Sequence, residues 1–531
     1  MTDSSKDIAS KAVVSGFFLI LVLLGVAVHG DFGISYDEPD YYRYGDMVTA
    51  DLASGTHHAE EFSNLRYYGP VLPVLHSWVR DLIDPAPQAA YPLAHLVNYL
   101  IFVAGAVAFY ALARRQLNSW KWALGATCAL ALSPRVFSHA FVNPKDAPFL
   151  ALFVINVWLL VTYLQTRKPA LIPLLGVATA LIVDVRAPGL VVAPMVAAAL
   201  AADAWFAPRG RRLRQFAAPV AAYTAVAAPL TVAMWPFLWP DPLGRFTEAL
   251  ALMASFVGGP TTTAYMGRLV SVSELPWHYL PVWIGITTPP AYLALAAVGI
   301  ASKLSHNPVP AFRNRSAERH WYLYAAWLLG PLGFAVVSGA NLYDEWRQLL
   351  FVYPALILFA AGGAQLLYRQ ASRHGPAARM ALSGTLAIIG LTVAATMAAL
   401  HPYQALYFNT LTRGGDGAEG SYELDYWGIS YPAGLRFLLT EIPEGPIRVH
   451  VCSHPGLSNS YLLEERTRLE YTDAAEAEFS VCAPRDELLG LSGDPEYLSQ
   501  RPTVFSLTRD GATFLRVKDL RGYSSPPAER R

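Results

Sequence analysis

Charge is what this chain has least of. Charged residues make up 15% of its 531 positions, against about 25% in soluble globular proteins. Much of its surface must therefore meet something other than water. The charges that are present cancel to a formal net of +0, which points to no nucleic-acid partner and no acidic one. Cysteine is scarce as well, with only Cys128, Cys452 and Cys482. No CxxC spacing occurs among them, so a cysteine zinc site is unsupported. There is no G-x-x-x-x-G-K-[ST] loop and no G-x-G-x-x-G followed by an acid, which leaves a nucleotide-driven machine without its phosphate cradle. H-E-x-x-H and G-x-S-x-G are missing too, which sets aside zincins and α/β-hydrolases.

What the chain has instead is apolar length: 54% of its residues are hydrophobic. A spanning helix needs about 20 mostly apolar residues. Eleven such segments lie near 12–30, 92–113, 121–139, 147–165, 170–184, 187–206, 215–236, 279–301, 320–338, 348–369 and 378–399. The first is longer than a signal-peptide core and lacks a small-x-small cleavage site, so it reads as a retained span. Basic residues test the count. With the N-terminus in the cytoplasm, the inner turns hold Lys6 and Lys11; Arg114, Arg115 and Lys121; Arg167 and Lys168; Arg209, Arg211, Arg212 and Arg214; Lys303, Arg313, Arg315 and Arg319; and Arg369, Arg373 and Arg379.

The expectation is an α-helical polytopic membrane protein of about 11 transmembrane helices in the cytoplasmic (inner) membrane. Residues 1–399 form the membrane body, with long outer loops at 31–91 and 237–278. Residues 400–531 form a small extracytoplasmic α/β C-terminal domain. Its run 447–454 alternates like a strand, and 503–520 reads as two strands around Asp510-Gly511. An oxidising compartment permits a Cys452–Cys482 disulfide, which spacing alone does not establish.

Ionisable residues concentrate in the outer turns. GISYDEPDYYRYGD (33–46) places Asp37 and Glu38 side by side before Pro39. They suit a general base or a metal ligand at the membrane boundary, and equally the acidic first turn of a helix. SPRVFSHAFVNPKDAPF (133–149) crowds Arg135, His139, Asn143, Lys145 and Asp146 into one turn, more than a connector needs. Asp184 and Arg186 sit between two apolar runs, where charges are costly unless paired or solvated. In 341–354, Tyr343, Asp344, Glu345 and Arg347 precede a long apolar run, and Arg347 faces outward against the usual bias, which suits an anion. After the last span, 401–434 is dense in aromatic and polar groups including Asp425, a pattern that fits either sugar binding or an interfacial belt.

Together these clusters set carboxylates and cations on one face of a membrane. Sugar nucleotides and ATP are not expected there, so an outward-facing transferase must draw its activated group from a lipid carrier, with a polyprenyl-phosphate sugar as the natural donor. A transporter or lipid-linked-sugar flippase is the competing reading. It is disfavoured because the charges cluster in turns and no inverted repeat is evident.

At this point the blocks YDEPDYYRYG, HAFVNPKDAPF, DVRAPG, YLPVWIGITTPPAYL, LYDEWRQLLFVYP and HPYQALYFN with DYWG carry a resemblance. Over residues 12–430 the chain resembles the GT-C glycosyltransferases, in particular the protein O-mannosyltransferase-like and lipid A aminoarabinose transferase-like enzymes. The resemblance implies that Asp37 is the catalytic base of the first loop, with Glu38 its neighbour. It implies further that Asp146 is a second outer-loop carboxylate, and that Lys145, Arg186 and Arg347 contact a lipid phosphate. Asp37 and Asp146 are the carboxylates that a divalent metal ion would use if one joins the reaction. The C-terminal region does not resemble the MIR module of the eukaryotic mannosyltransferases, which leaves the acceptor open among protein, lipid and glycan.

Overall fold

A computed structural model describes residues 3–56, 58–62, 64–255, 261–304, 320–489 and 498–521. Arg313, Arg315 and Arg319 of the basic turns, and the tail after residue 521, lie outside the described residues. Among those described, eight helices are long and apolar enough to cross a membrane: Ile8–Val28, Pro87–Leu117, Asp146–Thr166, Ala187–Trp205, Arg209–Met234, His320–Ser338, Arg347–Arg373 and Pro376–Leu400. The other three expected segments are shorter or broken helices. Trp120–Ala131 has 12 residues, about 18 Å of helix at 1.5 Å per residue, and it stops before Pro134 opens a second helix, Pro134–Val142. Leu171–Val185 has 15 residues. Tyr279–Thr287 and Pro290–Lys303 meet at 120°. That bend falls at Thr288-Pro289-Pro290, where proline drives the preceding residue out of the helical region and Thr288 is extended at ψ 138°.

Ion pairs bring the turns holding Asp37, Lys145, Arg186 and Arg347 together at one end, while elsewhere Arg115 meets Gln165 and Arg167 meets Asp203. The helices approach closely where residues are small. A Cβ on Gly105 would lie 2.6 Å from Cα of Ala151, and one on Gly299 would lie 2.0 Å from the Phe359 carbonyl oxygen. Close backbone approach through small residues is how helices associate in lipid, where burying apolar surface supplies no drive.

The polar C-terminal region builds a five-stranded sheet. Its strands are β3 (Ile447–Val451), β4 (Leu469–Tyr471), β5 (Phe479–Cys482), β6 (Thr503–Arg509) and β7 (Ala512–Asp519), and a separate hairpin, β1 (Thr262–Tyr265) and β2 (Arg268–Ser271), lies in the second long loop. The sheet order is β4-β3-β5-β7-β6. β4, β3 and β5 run parallel, and β5, β7 and β6 antiparallel. The β6–β7 turn lies at Asp510-Gly511, both with positive φ (51° and 81°), as a two-residue hairpin turn demands. Helix Tyr431–Glu441 packs on this sheet, with Gly434 against Leu515 and Val481. A disulfide joins Cys452 to Cys482.

This lobe sits directly on the membrane helices. Asn459 Oδ1 accepts from Ile34 N at 2.7 Å, and its Nδ2 donates to the Ile34 and Gly428 carbonyls at 2.9 and 3.1 Å. One apolar core runs from Phe102, Phe141 and Phe351 between the helices to Leu435, Val481 and Leu515 in the lobe. The molecule is an α-helical polytopic membrane protein carrying an α/β lobe at one end.

Candidate functional site at the lobe end of the helix bundle

The site starts from Asn143. Its Oδ1 accepts from the backbone N–H of Lys145 (3.2 Å) and of Asp146 (2.8 Å), folding the Asn-Pro-Lys-Asp stretch into a turn. Its Nδ2 donates to Asp146 Oδ2 and to His139 Nδ1, each at 3.0 Å. With Nδ1 accepting, His139 carries its proton on Nε2, 3.1 Å from Glu345 Oε1. This turn throws Lys145 and Asp146 toward two different partners.

Lys145 Nζ lies 2.7 Å from Asp37 Oδ2 and 5.1 Å from the Tyr68 ring centre. Asp37 occupies the N-cap position of helix Glu38–Ser54, yet its side chain makes no capping bond. It turns to Lys145 and keeps 22% of its side chain exposed. Burial raises its carboxyl, but the Lys145 ammonium and the Arg347 guanidinium outweigh that and hold it below the ordinary value. Asp37 is therefore ionised at neutral pH.

Asp146 is buried between two guanidinium groups, with Arg186 on Oδ1 and Arg347 NH1 3.2 Å from Oδ2. Arg347 also pairs with Asp344 at 3.1 Å and lies over the rings of Trp427 (4.8 Å) and Tyr343 (5.1 Å). Asp344 and Glu345 both adopt positive φ (50° and 64°), a conformation non-glycine residues keep only when their surroundings enforce it. Here Asp344 and Arg347 restrain that turn from one side, and Arg135, His139 and Tyr426 hold Glu345 from the other.

Three cations, Lys145, Arg186 and Arg347, thus meet three carboxylates, Asp37, Asp146 and Asp344. Arg186 also lines one end of a large cavity of about 1080 Å³, together with Tyr68 and Tyr343. The cavity is walled by Phe149, Phe153 and Leu164 of helix Asp146–Thr166 and by apolar residues of Val192–Trp205 and His320–Ser338. From Phe149 to Leu164 that wall rises about 22 Å at 1.5 Å per residue, most of the ~30 Å hydrocarbon depth. The cavity is an apolar channel reaching most of the way through a bilayer from the end that bears Arg186.

The remaining residues singled out in the sequence occupy other places. Glu38 points away from Asp37. It accepts from Ser35 N (2.7 Å) and Tyr42 Oη (3.0 Å) and lies 2.9 Å from His95 Nε2, bracing the loop that carries Asp37. Asp425 caps the turn into helix Tyr431–Glu441 through the N–H groups of Ile429 and Ser430, and burial pushes its carboxyl up to about 6. Asp184 accepts from Val71 N at 3.0 Å and packs on Gly69, pinning the segment that bears Tyr68. Tyr68 escaped the sequence reading because it lies in the long 31–91 loop outside the 33–46 charge cluster. Its only signal is the turn-forming Gly69-Pro70 beside it.

Among the described residues no three His, Cys, Asp or Glu side chains converge as metal ligands. Asp37 and Asp146 are each already matched by cations within hydrogen-bonding distance. That donor set does not fit a divalent ion.

No protein-family model and no curated protein matches the chain. Solved structures are similar to it, two of them as follows. One is the crystal structure of ArnT from Cupriavidus metallidurans bound to undecaprenyl phosphate, with a TM-score of 0.48 and 15% identity over 98% of this chain and 100% of that one. The other is a single-particle cryo-EM structure of the arabinofuranosyltransferase AftD from Mycobacteria, with a TM-score of 0.43 and 14% identity over 96% of this chain and 40% of that one.

Proposed function

We propose that the chain is a membrane glycosyltransferase of the GT-C type, moving a hexosyl or pentosyl group from a polyprenyl-phosphate donor to an acceptor hydroxyl on the extracytoplasmic face, with inversion. The observation that carries this reading is the apolar cavity ending at Arg186 beside Lys145 and Arg347. The polyprenyl chain lies in the cavity. Arg186, which lines its mouth, takes the phosphate, and Lys145 and Arg347 supply further positive charge.

In this reading Asp37 accepts the proton of the acceptor hydroxyl. The acceptor oxygen bonds to the anomeric carbon from the face opposite the phosphate. The bond from that carbon to the phosphate oxygen breaks, and its electron pair leaves with the polyprenyl phosphate. The cations stabilise the growing charge on the departing oxygen. The Lys145 and Arg347 charges keep Asp37 ionised, and its exposed edge admits the acceptor.

The test is to supply purified protein with labelled polyprenyl-phosphate hexoses and pentoses and follow polyprenyl-phosphate release. Asp37→Asn should abolish release while donor binding persists, and Arg186→Ala should weaken donor binding. Near-normal turnover by Asp37→Asn would remove its assignment as the base. A wild-type protein that binds no polyprenyl phosphate would remove the whole reading.

A further inference from the structure

The lobe sends one cation into the network behind the cavity mouth. Arg485, on the short helix Pro484–Leu488, puts NH2 3.0 Å from Asp344 Oδ1, while Arg347 holds Oδ2 of the same carboxylate at 3.1 Å. Asp344 is therefore shared, one oxygen to each guanidinium. On its far side Arg485 Nε lies 3.8 Å from Glu423. The backbone around Arg485 is anchored twice. Cys482, three residues earlier, is tied by the disulfide to Cys452 beyond the end of β3. Asp486, the next residue, accepts from Tyr431 Oη (2.6 Å), Ser453 Oγ (3.2 Å) and Ala483 N (3.2 Å).

We infer that Arg485 is a positioning residue: by taking half of Asp344, it keeps Arg347 directed at Asp146 and the phosphate site. This rests on the proposed role of Arg347 in phosphate binding. Without Arg485 the Asp344 carboxylate has Arg347 as its one close cation and draws that guanidinium away from the cavity mouth. Lobe and membrane helices then form one site, with the disulfide holding the lobe's contribution in register.

The experiment measures binding of polyprenyl phosphate, without sugar, to the purified full-length protein. Arg485→Ala should weaken binding about tenfold, the scale on which a residue acting through another shifts affinity, and Arg485→Lys should stay close to wild type. Adding Asp344→Asn to Arg485→Ala should recover most of the loss, because the competing carboxylate is gone. A merely structural arginine would show no such recovery. Arg448→Ala, in the same sheet but half-exposed and paired with Glu478 at 3.6 Å, should leave binding unchanged. If Arg485→Ala does not fold, the Arg485→Gln/Asp344→Asn protein replaces it and should bind nearly as wild type. Wild-type affinity in Arg485→Ala, or a double variant weaker than the single one, overturns the inference. A wild-type protein that fails to bind at all counts against the proposed function instead.

Discussion

Asp146 shows how tightly charge is balanced at single positions here. Two buried guanidinium groups, Arg186 and Arg347, share its carboxylate. Removing one member of such a set strands the others in a low-dielectric site, at a cost of about 3–5 kcal/mol. Asp146→Ala should therefore lower the melting temperature sharply in detergent, whereas Asp37→Asn, at a partly exposed position, should lower it little. Gly69 is equally constrained. A Cβ there would lie 2.0 Å from Asp184 Oδ1, so Gly69→Ala must push Tyr68 off Lys145. We expect it to cost about 1–3 kcal/mol and to reduce transfer, measured as stability and turnover of the same preparation. In the lobe, burial lifts Glu423 to about 7, with Arg485 pulling the other way and Asp344 adding to the rise. The folded state then holds this proton to higher pH than the unfolded chain, so stability falls as pH rises from about 4.5 to 7. Each unit of displacement corresponds to about 1.4 kcal/mol. Melting curves between pH 5 and 8 should show a smaller loss for Glu423→Gln than for wild type. Equal losses would show that Glu423 does not titrate in this window.

At the scale of elements, the decisive features are breaks. The single proline at 134 and the proline pair at 289 and 290 were visible in the sequence, but an unbroken apolar run masked their effect. The segments 121–139 and 279–301 read as straight spans and are two helices each. Hydropathy registers the solvent a residue meets and is blind to helix direction, so a bend inside an apolar run leaves no trace in it. The helix start was more legible: Asp37 and Glu38 before Pro39 read as an acidic first turn, and helix Glu38–Ser54 opens there. The contact between helices Pro290–Leu304 and Tyr353–Arg373 supplies a test at this scale. Cβ atoms on Gly299 and Gly363 would lie 2.0 and 2.1 Å from carbonyl oxygens of the opposite helix. Gly363→Val should separate the two helices and lower the yield of monodisperse protein in size-exclusion chromatography, while Gly384→Val, where a Cβ meets nothing within 4 Å, should not.

For the whole molecule, the acidic and cationic turns and the lobe meet at one end. Compartment reporters fused within 56–63 of the first loop and after residue 521 should both report from the extracytoplasmic side. A cytosolic signal from either would overturn the proposed orientation. The sequence by itself determined that this is a polytopic membrane protein and which turns carry charge, because apolar length and charge placement are local quantities that a bilayer reads directly. It also named Asp37, Lys145, Asp146, Arg186 and Arg347, since charges beside apolar runs stand out. Only the tertiary structure decided which of these meet. It turned Glu38 inward to His95, brought Tyr68 over Lys145, and carried Arg485 from the lobe to Asp344 across 141 positions of chain. Those pairings follow from how helices pack and where a disulfide anchors a strand, and distances between segments far apart in sequence have no local signature.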